Sequence, residues 1–413
     1  MSQTLSITAA PSGVSTPAEL TPIKRRPGID FSLTGLVYCL MMLVIGIAAM
    51  NGQVSLLFGV FGLMIGVMLV SGVICRMVLR RLKVKRELPE FFVVGRPATV
   101  VYYFKNQKYF WPSLSVTLSE LDGAEAFTRQ VRAYLLHAAA GVTAKVPVEV
   151  MPKRRGQHQM GAYQLSTSFP FGFIKRAVQK READTMLVCP PLGHVSPQLL
   201  ALCRADRRIE GPLRPRQGGQ DEFYGVKEHR AGDNPKLIYW RRSARTPGVL
   251  VAKEMSQVAP PRLMLLIDNH LPRVTSENQA AIEKSLAMAA SLANVALDVG
   301  LEVGLCSWDG DGWQVLAPQA GKRQRREIMS ALAQLPRNSA ADAGSLMTAA
   351  ATLVKPGISA IVFTPQSMQT SLADRLRGAF IVVAAESRTA AAWFSFDASV
   401  DFGKCSPIER GDG

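Results

Sequence analysis

FSLTGLVYCLMMLVIGIAAMNGQVSLLFGVFGLMIGVMLVSGVIC, residues 31–75, is a run of 45 residues without one Asp, Glu, Lys, Arg or His. A helix needs ~20 apolar residues to cross the hydrocarbon of a bilayer, so the run is too long for one span and about right for two. It breaks once, at Asn51-Gly52-Gln53. That predicts one helix over Leu33 to Met50 and a second over Val54 to Cys75, joined as a hairpin. Lys24, Arg25 and Arg26 precede the first helix. Arg76, Arg80, Arg81, Lys83, Lys85 and Arg86 follow the second, and the turn between them is uncharged. By the positive-inside rule both ends face the cytoplasm, which places the chain in a cell inner membrane with its soluble domains cytoplasmic. A cleaved signal peptide is the other reading of the first span. A polar leader before it and a second span directly after it favour a retained hairpin. The spacing Gly62-x-x-x-Gly66 predicts close packing of the second helix on its partner. The leader, residues 1–30, is rich in Ser, Thr, Pro and Ala without hydrophobic period and is expected to be disordered.

The remainder of the 413 residues is long enough for two soluble domains, and the formal net charge is +16. Charge of that size suits anionic lipid, nucleic acid or an acidic protein surface. The run Arg76 to Arg86 offers anionic headgroups a site. Arg204 to Arg208 and Lys322-Arg323-Gln324-Arg325-Arg326 raise nucleic acid as an alternative partner, but no recognised nucleic-acid module accompanies them. The six cysteines are scattered, two of them in the apolar run, and none form C-x-x-C, which argues against a disulfide framework or a zinc site. The chain has no G-x-S-x-G, H-E-x-x-H or P-loop, and its five histidines are spread widely, His229 beside Glu228 being the most suggestive. A hydrolase is therefore the weaker alternative, and the expectation is a non-enzymatic protein without cofactor or metal.

Between 87 and 193 the pattern is short and strand-rich. Phe91–Val94, Ala98–Phe104, Leu114–Leu118, Ala144–Val150, Ala162–Ser168 and Met186–Val188 alternate with turn residues, as in a β-sandwich. From 261 to 400 the grammar changes. Strands over Arg262–Asp268, Leu301–Trp308, Ser359–Thr364 and Ala379–Ala385 alternate with helices over Glu277–Leu297, Arg325–Leu335 and Ala343–Val354. This is the pattern of a doubly wound α/β domain, in which functional groups sit at the carboxyl ends of strands. Asp268 and the turn Asp309-Gly310-Asp311-Gly312 are the places that rule selects.

The segment 199–260 between them is read as a connector. Within it Gly232-Asp233-Asn234-Pro235 predicts a turn that starts a helix, with Asn234 as cap and Pro235 at the first helical position. That helix carries Arg241, Arg242 and Arg245 near its end, where they complement the dipole and can clamp a carboxylate or phosphate. Trp240 is expected to be a packing anchor. The run Gly225-x-x-Glu228-x-Arg230-x-Gly232-Asp233-x-Pro235-x-x-Ile238-x-Trp240-x-x-Ser243-Ala244-Arg245 resembles the signature of the bacterial "domain of unknown function" family numbered fifty-eight. Lys153-Arg154-Arg155-Gly156 and Phe169-Pro170-Phe171-Gly172 resemble two further landmarks of that family.

The resemblance implies a membrane-anchored scaffold or adaptor in which a von Willebrand factor A-like domain follows a β-sandwich. It also implies protein partners of the MoxR-type AAA+ ATPase and transglutaminase-like membrane classes. Glu228, Arg230, Asp233, Trp240, Arg241, Arg242 and Arg245 are the candidate partner-binding or junction residues: the three arginines near the helix end either contact a partner or pair with acids of the sheet domain to fix it against the sandwich. A von Willebrand factor A domain with a working metal-dependent adhesion site uses Asp-x-Ser-x-Ser after its first strand, because Mg²⁺ wants carboxylate and hydroxyl oxygens in an octahedron. Here Asp268-Asn269-His270-Leu271-Pro272 lacks both serines, and Thr364-Pro365-Gln366 stands where a later acid is expected. Ser345 or Thr348 is left as the only middle hydroxyl. Asp268 thus marks a degenerate metal site, the plainer role being to cap a turn.

Overall fold

The computed structural model describes residues 28–52, 55–205, 222–230, 234–245, 248–256, 261–271, 273, 275–337, 344–346, 348–349, 358–366 and 380–407. These fall into two compact units. Residues up to Pro191 and from Ala398 make one, and Leu192–Asp397 the other.

The first unit begins with a strand β1 (Gly28–Phe31) and two helices long and apolar enough to cross a membrane, α1 (Leu33–Gly52) and α2 (Ser55–Leu79). They pack on each other, with Tyr38 Oη donating to the Met64 carbonyl at 3.1 Å. The expected small-residue contact is elsewhere. Gly62 and Gly66 face open space, whereas a Cβ on Gly46 would stand 2.8 Å from the Phe61 ring. The helix wall is thinned on α1, not α2.

Eight strands follow: β2 (Leu82–Glu87), β3 (Phe92–Val93), β4 (Ala98–Asn106), β5 (Ser113–Glu120), β6 (Arg132–Ala138), β7 (Thr143–Val150), β8 (Gly156–Thr167) and β9 (Ile174–Cys189). One sheet has the order β1-β9-β8-β5-β6 with β3 also on β9, and a second the order β2-β4-β7. Leu82, Val84, Tyr102 and Phe104 of the second sheet share a core with Val116, Leu118, Met160 and Leu165 of the first, and Cys405 returns to join them. β8 and β9 run well beyond the expected segments. The middle of β9 carries Gln179, Lys180, Arg181 and Glu182, whose polarity reads as turn; they alternate between the two faces of the strand, and only Arg181 of the four is exposed.

The basic run after α2 is corrected most. Residues from Leu82 to Glu87 alternate strictly between buried and exposed. Arg86 is 5% exposed, so it is no ligand for headgroups. Its Nη1 and Nη2 donate to the carbonyls of Met160 and Glu182, each at 2.8 Å. Its Nε lies 3.5 Å from Glu120 Oε1, and Nη1 3.4 Å from Asp184 Oδ2. Tyr102 Oη donates to the same Glu120 oxygen at 2.9 Å. Burial pushes the Glu120 carboxyl up to about 7, against the opposing pull of Arg86 and the Tyr102 hydroxyl.

The second unit opens with β10 (His194–Val195) and α3 (Pro197–Ala205), then β11 (Glu222–Glu228), α4 (Trp240–Ser243) and β12 (Val251–Ser256). The stretch expected as connector therefore starts as a helix, with Leu199 and Cys203 buried. The rest is β13 (Arg262–Ile267), α5 (Ser276–Asp298), β14 (Glu302–Trp308), β15 (Trp313–Gln319), α6 (Lys322–Gln334), β16 (Ile358–Thr364), β17 (Phe380–Ala384), α7 (Arg388–Trp393) and β18 (Phe394–Ser395). The five-stranded sheet has the order β15-β14-β13-β16-β17, parallel throughout except for β15, which returns antiparallel from β14 through the Asp309–Gly312 turn. β13 is central and buried on both faces, which is why Leu263 to Ile267 is continuously apolar. α5 is apolar enough to cross a membrane by composition, yet most of it is buried against β13, β14 and β16, so it serves as a core helix. Thr275 caps it, accepting from Asn278 N at 3.3 Å.

Candidate functional site

Chain direction decides the first site. From β13 the chain moves to β14 and β15 on one side of the sheet, and later to β16 and β17 on the other, so the carboxyl ends of β13 and β16 flank a topological switch point. Asp268 and Thr364 stand there, both buried. Thr364 Oγ1 lies 3.2 Å from Asp268 Oδ2 and 2.8 Å from the Gln366 carbonyl. Asp268 Oδ1 accepts from His270 N at 3.0 Å. Asn269 donates to the carbonyls of Trp308 and Pro336, at 3.1 and 3.2 Å, and so ties the loop to the end of β14.

This donor set does not fit a magnesium octahedron. Among the described residues of this loop Asp268 supplies the one carboxylate, and its two oxygens hold the turn and Thr364. Thr348 spends its hydroxyl on the Gly344 carbonyl at 3.0 Å. Among the described residues no group of three or more His, Cys, Asp or Glu side chains is placed to hold a metal. Asp268 works instead as the cap of its own turn. Asp309 does similar work in the β14–β15 turn, accepting from Asp311 N and Gly312 N at 3.0 Å, and these amides hold its carboxyl below the usual range. Beside that turn, Asp309, Gln314, Arg326, Glu327 and Gln334 line a polar cleft of about 560 Å³.

The signature segment forms a different structure. β11 and β12 pair antiparallel as a two-stranded sheet, with Glu228 opposite Val251. Asn234 caps a short 3₁₀ turn at Pro235–Leu237, accepting from Lys236 N at 3.1 Å, as its sequence predicts. The predicted single helix is broken: the 3₁₀ turn ends at Ile238, and α4 is one turn long. Ser243, which sequence reasoning passed over, fastens it. Its Oγ accepts from Val251 N at 2.9 Å and lies 3.1 Å from the Tyr239 carbonyl, while Tyr239 N donates to the Val251 carbonyl at 2.8 Å. Lys253 Nζ sits 5.1 Å over the Tyr239 ring.

Trp240 is not the packing anchor that was expected. It is 65% exposed, and Arg241, Arg242 and Arg245 are exposed around it. A helix of one turn has no inner face to bury them. Glu228 and Arg230 are exposed on the same segment, and Asp233 lies outside the described residues. Of the two basic clusters, the one on α6 is in part committed to contacts within the fold. In α6, Arg323 pairs with Glu327 at 2.9 Å, Arg325 pairs with Asp298, and Gln324 is buried, donating to the Val303 carbonyl at 2.7 Å. Arg207 and Arg208 lie outside the described residues.

No curated protein matches the chain. Residues 225–390, which hold the signature hairpin and the five-stranded sheet, match the model of the family described as protein of unknown function DUF58.

Proposed function

We propose that the chain is a membrane-anchored, non-catalytic adaptor that captures an acidic surface of a protein partner through the segment 228–245. The observation that carries this reading is Trp240, exposed beside Arg241, Arg242 and Arg245 on a turn held rigid by Ser243. Trp and Arg are the side chains that dominate binding energy at protein interfaces, and an anchored turn binds without the entropy cost of ordering a loop. The sheet order β15-β14-β13-β16-β17 with one antiparallel edge supports a doubly wound, von Willebrand factor A-like domain whose metal site has decayed into a capped turn. The basic flanks of the hairpin support an inner-membrane location with the body cytoplasmic. The family resemblance makes a MoxR-type AAA+ ATPase and a transglutaminase-like membrane protein the first partners to test.

The test is cross-linking in native membranes, capture of the intact chain and mass spectrometry, run on wild type, Trp240→Ala and Arg245→Glu. Recovery of those partners from wild type and their loss from both variants, with thermal midpoints unchanged, supports the adaptor. Equal recovery from all three chains sinks the assignment to this segment. Lipid or nucleic acid alone in every capture removes the adaptor reading.

A further inference from the structure

Within the first unit, aromatic side chains stand exposed where the strands meet the apolar helices. α2 has 25 residues, about 37 Å at ~1.5 Å each, against a hydrocarbon core of about 30 Å. Its last turn therefore reaches headgroup depth. Cys75, Val78 and Leu79 of that turn are buried by the strands, while Arg76, Arg80 and Arg81 are exposed.

The loop between β4 and β5 is pinned at this level. Lys108 Nζ lies 3.0 and 2.8 Å from the carbonyls of Met77 and Val78, and 2.8 Å from Ser113 Oγ. Directly after Lys108, Tyr109 is 81% exposed, Phe110 94% and Trp111 39%. At the start of α1 a second loop does the same. Tyr38 stacks on Phe173 with centroids 4.2 Å apart, Phe173 stacks on Phe171 at 5.6 Å, and Phe171 is half exposed.

We infer that Tyr109, Phe110 and Trp111, with Phe171, form an aromatic anchor that seats the strand-rich unit in the headgroup layer of the bilayer. The inference rests on α1 and α2 spanning the membrane. Continuity with the two helices selects lipid as the occupant, since both loops are bonded to the helix ends at the depth where amphipathic rings partition. In water, three consecutive exposed aromatics are unfavourable; at the interface each ring gains burial while Tyr and Trp keep a polar group wet. Arg76, Arg80 and Arg81 lie in the same layer, where lipid phosphates would meet them. The anchor would hold the unit at a fixed tilt on its hairpin.

The experiment is nitroxide depth measurement on the full chain in lipid nanodiscs, in a Cys39→Ala background, with labels at Val44→Cys, Phe110→Cys and Glu125→Cys. Val44 is exposed on α1, and Glu125 is exposed beyond the far end of β5. The ratio of relaxation by oxygen to relaxation by a water-soluble nickel chelate at 110 is expected to exceed that at 125 several-fold and to fall below that at 44. A label at 110 with the ratio found at 125 overturns the anchor while a high ratio at 44 leaves the membrane reading intact. A label at 110 reached by neither relaxant means that protein covers the loop, and also overturns it. A low ratio at 44 removes the membrane-spanning reading and the anchor with it.

Discussion

Replacing Arg86 by Met is expected to unfold the strand-rich unit selectively, and more so at high pH. The guanidinium supplies the Met160 and Glu182 carbonyls with donors at 2.8 Å and is the charge nearest to buried Glu120. Two orphaned carbonyls cost about 2–4 kcal/mol. The Glu120 carboxyl then loses its compensating charge and must stay protonated. At pH 5 it is already mostly neutral, because burial has lifted it to about 7. At pH 8 its neutralisation adds further cost, and the total reaches the ~3–5 kcal/mol typical of breaking a buried pair. Slow amides of β4, β5 and β8 report the opening of this unit by hydrogen exchange, and their protection is expected to fall roughly 10²- to 10⁴-fold at pH 8. Adding Glu120→Gln is expected to restore part of the loss, with a coupling of about 1–3 kcal/mol. Protection within about threefold of wild type, or strictly additive effects of the two substitutions, refutes the electrostatic account.

Glu120 also sets a pH dependence in the unaltered chain. Its proton is held more tightly in the folded state, from an ordinary value of 4.5 to about 7, so stability of the unit is greatest below that window and declines as pH rises through it; Glu120→Gln should flatten the decline in a melting series. Gly35→Ala drives a Cβ into the Phe173 carbonyl oxygen, and the start of α1 must shift from the sheet at a cost of about 1–3 kcal/mol, read as a lower thermal midpoint in nanodiscs. Ser243→Ala should speed exchange at the Val251 amide, reflecting about 1–2 kcal/mol, while leaving amides of β13 and β14 untouched. Millimolar Mg²⁺ should shift the melting of wild type and Asp268→Asn equally, since Asp268 serves a turn; a shift confined to wild type would restore the metal site.

Periodicity and charge made much of this architecture legible. An uncharged run of 45 residues with one polar break allows few structures besides a helix pair, because unpaired backbone cannot face hydrocarbon. The continuous apolar run Leu263–Ile267 and the Ala-rich α5 likewise announce a buried parallel strand and its covering helix. Asn234 and Pro235 predicted their own capped turn for a purely local reason, the short reach of an Asx side chain to the amide two residues on.

What stayed hidden depends on groups far apart in the chain. Arg86 reads as one more cation of a topology signal, and only the approach of β4, β5, β8 and β9 makes it a core residue. The middle of β9 reads as loop because its consecutive residues are polar on both faces, as in a turn, and only pairing with β8 shows them to be strand. Trp240 reads as core because tryptophan usually is; its exposure follows from the helix ending after one turn, which Ser243 and β12 decide together. That the Asp268 turn lacks the serines a magnesium site would use was legible in the sequence, but Thr364 as the neighbour of Asp268 required the register of β13 on β16. Local patterns thus determined the helix pair long and apolar enough to cross a membrane, the buried strand β13 and its covering helix α5. Tertiary structure alone decided which polar groups are buried and which aromatics are left exposed, because burial is a property of the residues brought together and not of any one of them.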